Sequence, residues 1–342
     1  MVTIKDVARD AGVSVGTVSN VLNGGRVSEA RRKLVEASIE KLGYQVNTLA
    51  KGMRMQKTDY VVVILPNLIN PYFALLLDAL ESELSAVGKQ VLLCLSGDDA
   101  EREVAFMDMA KQNKVDGIIG VTYSKVEEER IENMAFVSID RHYKSHIPCV
   151  AGDNWQGGWL AAENLHKRGS TNLLCFMTMS SVDSEVRKRR VGFTEYCMEH
   201  DLSCNSVEMS EKQIVSVYES YGSRKLIHNM LRAYISPSMG EHSIDGIFTS
   251  SDHLATIVRE ELEEMGKRVP EDIQIIGYDG LQFLNQGKPI VSSIAQPVHE
   301  IAKEAVRCLN ELIANGKTEG NTKIPVSFQE GPTTKTLVTE EK

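Results

Sequence analysis

No run of apolar residues in the 342-residue sequence reaches the ~18 that a membrane span needs. The N-terminus, Met1-Val2-Thr3-Ile4-Lys5-Asp6, is polar from the start and has no apolar stretch of the kind a secretory signal carries. A cytoplasmic protein with no membrane partner is expected. Six cysteines (Cys94, Cys149, Cys175, Cys197, Cys204 and Cys308) are scattered without a C-x-x-C pair. That argues against a disulfide framework and a structural zinc site, and leaves small buried thiols as the expected role. Phosphate-cradling and metalloprotease motifs are also missing: there is no G-x-G-x-x-G, no G-x-x-x-x-G-K-[ST] and no H-E-x-x-H. The first strand candidate instead runs out into Leu65-Pro66-Asn67-Leu68-Ile69-Asn70. No catalytic constellation stands out, so the sequence predicts no enzyme, no cofactor and no metal.

What is present is ordinary in amount and uneven in placement. The chain is 42% hydrophobic and 25% charged, as soluble globular proteins are. Its length suggests two or three domains at about 100–200 residues each. Net charge is −9, but residues 1–58 hold ten basic and five acidic side chains, so that segment is +5 and the remainder −14. An acidic body with a basic arm suits a protein of which one end touches nucleic acid.

That arm reads as three short helices. Thr3-x-x-Asp6 can cap the first, with Ile4, Val7, Ala8 and Ala11 on one face and Gly12 supplying the turn. Ser14 can cap the second, which carries Val18, Val21 and Leu22 and stops at Asn23-Gly24-Gly25. Ser28 can cap the third, with Leu34, Val35, Ile39 and Leu42 expected to face inward and Gly43 closing it. Two helices about a tight Gly turn, backed by a third, predict a helix-turn-helix whose second helix lies in a major groove.

The remainder alternates short apolar runs with amphipathic stretches. Strands are predicted at 61–65, 91–95, 117–121, 136–139, 173–177, 246–249 and 273–277. Helices are predicted at 72–87, 101–113, 156–168 and 253–265. Buried runs of this length between helices read as β-α-β units with parallel sheets, and so many units suggest two doubly wound subdomains.

Several motifs are more specific than these patterns. Thr3-Ile4-Lys5-Asp6-Val7-Ala8, Ala11-Gly12-Val13-Ser14, Thr17-Val18-Ser19, Val21-Leu22-Asn23-Gly24, Lys41-Leu42-Gly43-Tyr44 and Asn47-x-x-Ala50 closely resemble the headpiece of the LacI/GalR repressor family. The resemblance continues through Asn70-Pro71-Tyr72-Phe73, Asp116-Gly117-Ile118-Ile119, Ile139-Asp140-Arg141, Asp153-Asn154-x-x-Gly157-Gly158 and Arg189-x-x-Gly192-Phe193, then Ile276-Gly277-Tyr278-Asp279 and Gln296-Pro297. It covers essentially the whole chain. The fold it implies is an all-α helix-turn-helix headpiece (residues 1–45), a hinge helix or linker (46–58) and an α/β periplasmic-binding-protein-like effector domain (59–342). The effector domain would be two Rossmann-like lobes joined by three crossovers, 59–159 with 294–322 and 160–293 with 323–339. The implied function is a homodimeric transcriptional regulator, a repressor of carbohydrate-metabolism genes. Its binding to a pseudo-palindromic double-stranded operator would be controlled by a small effector, a sugar, in the cleft between lobes. A purine- or protein-co-regulated repressor uses the same fold, and a solute-binding receptor shares its two lobes. The tail after Pro332 has no heptad repeat, so no tetramerising coiled coil is expected.

By the same resemblance, Val15, Gly16 and Asn20 reach base edges, and Asn20 can pair bidentately with adenine. Ser14, Thr17, Ser19 and Asn23 look like phosphate contacts, which position the helix without reading sequence, and Thr3 is a further DNA-binding candidate. Asn47, Ala50, Met53 and Arg54 belong to the hinge, where Met53 would wedge a minor-groove step. Two departures stand there: Val46 where a Pro is common, and Met53 where Leu is usual.

In the cleft, ligand would lie at the carboxyl ends of facing strands, the usual place in open α/β sheets. Asp140, Asn154, Arg189, Asp279 and Gln296 could supply donors and acceptors for vicinal hydroxyls, and Tyr72 and Phe73 an apolar wall. Arg189 also fits a solvated basic face in Arg187-Lys188-Arg189-Arg190, and Phe73 also fits core beside Leu76 and Leu77. Ser250-Ser251-Asp252 stands where S-N-D is common. Residues 206–244 match poorly, with Tyr218 or Tyr221 as candidates for an aromatic against the ligand.

Overall fold

The computed structural model describes residues 2–22, 24–44, 58–97, 99–124, 130–131, 133–143, 147–179, 182–220, 224–235, 243–282, 286–318 and 320–337. The chain divides into two compact units, Met1–Thr58 and Asp59–Lys342.

The first unit contains α1 (Ile4–Asp10), α2 (Val15–Leu22) and α3 (Glu29–Leu42). Asp6, in the first turn of α1, accepts hydrogen bonds from the Thr3 amide (3.0 Å) and hydroxyl (2.6 Å), closing the N-terminus expected from Thr3-x-x-Asp6. The Thr17 amide donates to Ser14 Oγ at 3.1 Å, starting α2, and Gly43 ends α3 at φ +60°. Val7, Ala8, Ala11, Val18, Val21 and Val35 form the core. Asp10 ties α1 to α3 by accepting from Ser38 Oγ and Lys41 Nζ, each at 2.7 Å. Leu34, expected inward, is 54% exposed. The buried stripe of α3 is the narrow one through Val35 and Ser38, and a residue next to Val35 lies about 100° around a 3.6-residue helix.

The second unit holds two six-stranded sheets. Along the chain run β1 (Tyr60–Leu65), α4 (Pro71–Ala86), β2 (Gln90–Leu95), α5 (Ala100–Gln112), β3 (Gly117–Gly120), β4 (Phe136–Ile139) and β5 (Cys149–Gly152). Next come α6 (Asn154–Lys167), β6 (Asn172–Met179), α7 (Arg187–Glu199), β7 (Ser203–Ser210), α8 (Glu211–Glu219), α9 (Lys225–Ile235), β8 (Gly246–Thr249) and α10 (Asp252–Glu264). The rest is β9 (Gln274–Asp279), β10 (Ser292–Ala295), α11 (Val298–Asn315), β11 (Thr322–Ile324) and β12 (Ser327–Gln329). Sheet order is β11-β5-β4-β3-β1-β2 in the first lobe, all parallel. In the second it is β12-β10-β9-β8-β6-β7, parallel except that β12 pairs antiparallel with β10. The five strands beyond those predicted lie where the sequence is polar or its apolar runs are short, and the helices α7, α8, α9 and α11 were not among those predicted. β7, SCNSVEMS, is an edge strand and mostly exposed.

The chain passes between the lobes three times: after Gly152, after Ala295 and after Ile324. The crossings are displaced from those expected. Residues 154–159 begin α6, whose Ala161, Ala162 and Leu165 pack into the second lobe's core, so they do not belong to the first lobe. Residues 294–295 lie in β10 of the second sheet, and Lys323 and Ile324 remain in the first. The physical reason is that Asp153 caps α6, accepting from the Gln156 amide at 3.0 Å, and commits the helix from residue 154.

α6 and α7 cross at two glycines. A Cβ on Gly158 would fall 1.8 Å from the Arg189 carbonyl oxygen, and one on Gly192 2.0 Å from that of Trp155. Only hydrogen at both positions permits this approach, and it brings Asn154 and Arg189, near the starts of the two helices, together. The cysteines are free thiols, all buried except the half-buried Cys204.

Candidate ligand cavity and nucleic-acid face

The βα connections of both lobes converge on a cavity of about 110 Å³. One water needs roughly 10–15 Å³ by the same measure, so this is room for a ligand. The first lobe contributes Pro66, Asn67, Asn70, Tyr72, Phe73, Tyr123 and Asp140. The second contributes Thr178, Ser184, Val186, Arg187, Arg189, Ile214, Tyr218, Ser250, Ser251 and Asp279, and Gln296 stands at a crossing. Apart from Tyr218, near the end of α8, these positions follow the carboxyl ends of strands or lie early in the next helix. The helix caps are built from the same turns: Asn70 Oδ1 accepts from the Tyr72 amide (3.1 Å) and Ser251 Oγ from the Leu254 amide (3.1 Å).

A buried polar chain spans the lobes. Asn154 Nδ2 donates to Asp140 Oδ1 (3.3 Å) and to the Gly152 carbonyl (2.9 Å). Its Oδ1 accepts from Arg189 Nε at 2.6 Å, and Arg189 Nη1 reaches the Ser250 carbonyl at 2.8 Å. The guanidinium also lies 3.5 Å from the centroid of the Tyr278 ring. Arg189 is 4% exposed, so it does not belong to a solvated face. Asn154 does not line the cavity; it orients Asp140 and Arg189, which do.

Both cavity carboxylates sit on uncommon backbone, Asp140 at φ +59° and Asp279 at φ +116°. Non-glycine residues held there carry strain, which tends to gather at ligand sites. Burial raises the Asp140 pKa, against the pull of Arg189 and the Asn154 hydrogen bond. Burial pushes Asp279 up to about 7, against Arg189, Gln296 and Asn70. Burial works against the Arg189 charge, but Tyr278, Asp279 and Asp140 outweigh it and raise its pKa. Gln296 Nε2 donates to Asp279 Oδ1 at 2.9 Å, while Gln296 Oε1, Asp279 Oδ2 and the Tyr72 hydroxyl are buried without a well-formed hydrogen bond.

Tyr72 and Phe73 pack edge to face at 5.6 Å and belong to the first lobe's core as well as to the cavity wall. Tyr218 supplies a further aromatic; it stacks on His253 at 3.9 Å and its hydroxyl meets Ser251 Oγ at 3.1 Å. Tyr221 lies outside the described residues. Tyr123, Thr178 and Ser184 were not singled out from sequence, and Ser250 only as part of the departing motif Ser250-Ser251-Asp252. Their signal was position alone, just beyond or near the carboxyl ends of β3, β6 and β8. Among the described residues, no group of three or more His, Cys, Asp or Glu could hold a metal ion, and no helix is long and apolar enough to cross a membrane.

On the first unit, Ser14, Gly16 and Asn20 are exposed on α2 and its cap, Val15, Thr17 and Ser19 are half-buried, and Val18 and Val21 face the core. Thr3 is exposed, with its hydroxyl given to Asp6. Asn23, Asn47, Ala50, Met53 and Arg54 lie outside the described residues.

The chain thus joins a three-helix unit that turns a polar helix face outward to a two-lobed domain whose lobes meet at a partly open cavity lined by polar and aromatic side chains. Residues 3–47 match the family described as bacterial regulatory proteins, lacI family, and residues 162–334 the periplasmic binding protein-like domain. The sucrose operon repressor of Pediococcus pentosaceus is 32% identical over 332 residues, 96% of this chain and 98% of that protein. The ribose operon repressor of Halalkalibacterium halodurans is 32% identical over 311 residues, 90% of this chain and 89% of that one. A Lac repressor dimer bound to operator and the anti-inducer ONPF shares the fold, with a TM-score of 0.79 at 23% identity over 97% of this chain and 98% of that one. The chain belongs to the lacI family of bacterial regulatory proteins, as a DNA-binding transcriptional repressor controlled by a ligand.

Proposed function

We propose that the ligand is a sugar, held in the cavity between the lobes, and that a homodimer carries two headpieces to a pseudo-palindromic operator. The observation that carries the sugar reading is the pair of buried acceptors, Gln296 Oε1 and Asp279 Oδ2, without well-formed hydrogen bonds beside aromatic side chains. Leaving such groups unpaired is costly, and a hydroxyl donates to either one. Asp140 accepts from further hydroxyls, Arg189 donates, and Tyr72, Phe73 and Tyr218 cover the apolar face of the ring. The sucrose and ribose operon repressors among the relatives support the same class of effector. On DNA, Asn20 reads adenine and Val15 and Gly16 approach base edges. Thr3, Ser14, Thr17, Ser19 and Asn23 hold the backbone, and the hinge with Asn47, Ala50, Met53 and Arg54 enters the minor groove. By linkage, a sugar that alters operator affinity has its own affinity altered by the same factor when DNA is bound.

A thermal-shift panel of mono- and disaccharides, sugar phosphates and nucleobases tests this. A ligand at about 100-fold over its Kd adds ~2.7 kcal/mol of stability. A sugar is expected to raise the melting midpoint, and Arg189→Ala or Asp279→Ala to abolish that rise while the protein stays folded. A response to nucleobases alone, or an undiminished sugar response in both variants, overturns the assignment.

A further inference from the structure

Glu185 lies between two residues that line the cavity, Ser184 and Val186, yet its own side chain is fully buried and the ligand reading does not use it. Its partners come from both lobes. From the first lobe, His142 Nε2 meets Oε1 and Lys323 Nζ lies 3.9 Å from Oε2. From its own lobe, Lys188 Nζ in the first turn of α7 also donates to Oε1. The Glu185 amide crosses the gap as well, donating to the Asp140 carbonyl at 2.8 Å. The Asp140 carboxylate lies nearby, and Glu185 adds to the upward push on its pKa.

A buried carboxylate is tolerated when it is paired and hydrogen-bonded. Two of the three basic side chains here, and the acceptor of the amide, belong to the opposite lobe. Separating the lobes would strip Glu185 of both. We propose that Glu185 is a positioning residue that clasps the lobes together before any ligand binds. It fixes the strand end bearing Asp140 against the turn that leads into α7 and Arg189, and so sets the spacing of the two charged groups that face each other across the cavity. This goes beyond the sugar assignment and does not depend on it.

The test is hydrogen exchange, read by mass spectrometry, on the full-length protein without ligand. In Glu185→Gln, amides of 184–190 and 140–143 are expected to exchange roughly ten-fold faster or more, as local opening requires, while β1 and β6 keep their protection. His142→Gln and Lys323→Met, which each remove one partner from the first lobe, should reproduce this in part. Lys188→Met removes a partner within the same lobe and should do so least. Those three side chains are partly exposed, so their variants carry the test if Glu185→Gln does not fold. Unchanged exchange at 184–190 in folded variants would overturn the clasp. So would equal acceleration of β1 and β6, or a Lys188→Met effect as large as the other two, since either result marks Glu185 as packing within one lobe. Silence in the sugar panel with a positive exchange result would sink the ligand class and leave the clasp standing.

Discussion

The headpiece and the two-lobed domain place their chemistry on opposite sides of their cores. The headpiece buries Val7, Ala8, Ala11, Val18, Val21 and Val35, none larger than valine, and turns Ser14, Gly16 and Asn20 outward on one helix and its cap. The larger domain buries Phe136, Phe176, Phe193, Phe248 and Tyr278, and also buries its charged groups, Asp140, Arg189 and Asp279. A groove of DNA is external and long, so one contiguous exposed helix can read it. A small ligand must be taken out of water, so its site is assembled inside, from strand ends far apart in sequence.

The largest effect among these tests is expected from Gly192→Ala, in the larger domain. The added Cβ meets the backbone oxygen of Trp155, which no side-chain rotation relieves. Overpacking of this kind costs about 3 kcal/mol or more. Calorimetry should show a lowered transition for this domain, together with a lost effector response, because Asn154 and Arg189 move apart. An unchanged transition would mean the helices do not cross so closely. Val35→Ala probes the other side. Two buried methyl groups and the space they leave are worth about 2 kcal/mol, a large share for so small a core. Operator affinity should fall while the larger domain melts as before; a shared loss would show that the two units do not fold independently. Asn20→Arg should leave both transitions in place. It should move the preferred half-site from adenine to guanine, with ~1–3 kcal/mol of discrimination in a binding-site selection. An unchanged preferred sequence would remove Asn20 from base readout.

How much could be read in advance differs between the regions for the same reason. In the headpiece the helices and the Gly12 turn follow from local caps and a 3.6-residue period, while Ser14, Gly16 and Asn20 were named through motif resemblance. Leu34 is the exception, because periodicity marks an apolar side of a helix but not how wide a stripe its neighbours can cover. In the larger domain the strongest strand runs appear in sequence, while β5, β7, β10, β11 and β12 are too short or too polar to stand out. Asp140, Arg189, Asp279 and Gln296 could be named through motif resemblance. Tyr123, Thr178 and Ser184 could not, since Tyr, Thr and Ser near strand ends are common and become cavity residues only when those ends converge. The crossings at 153, 296 and 325 were displaced by a few residues because a helix such as α6 shows its apolar stripe but not which sheet will cover it.

The sequence by itself determined a basic helical arm on an acidic α/β body, the order of its main strands and helices, and the polar residues available for DNA and ligand. Those features rest on caps, periodicity and charge, which act between near neighbours. Only the tertiary structure decided that Asn154 serves Asp140 and Arg189 without entering the cavity, that Gly158 and Gly192 set the approach of α6 and α7, and that Glu185 finds two of its three basic partners in the opposite lobe. Each of these rests on the distance between groups tens to hundreds of residues apart, and that distance is fixed by how two sheets and their helices pack.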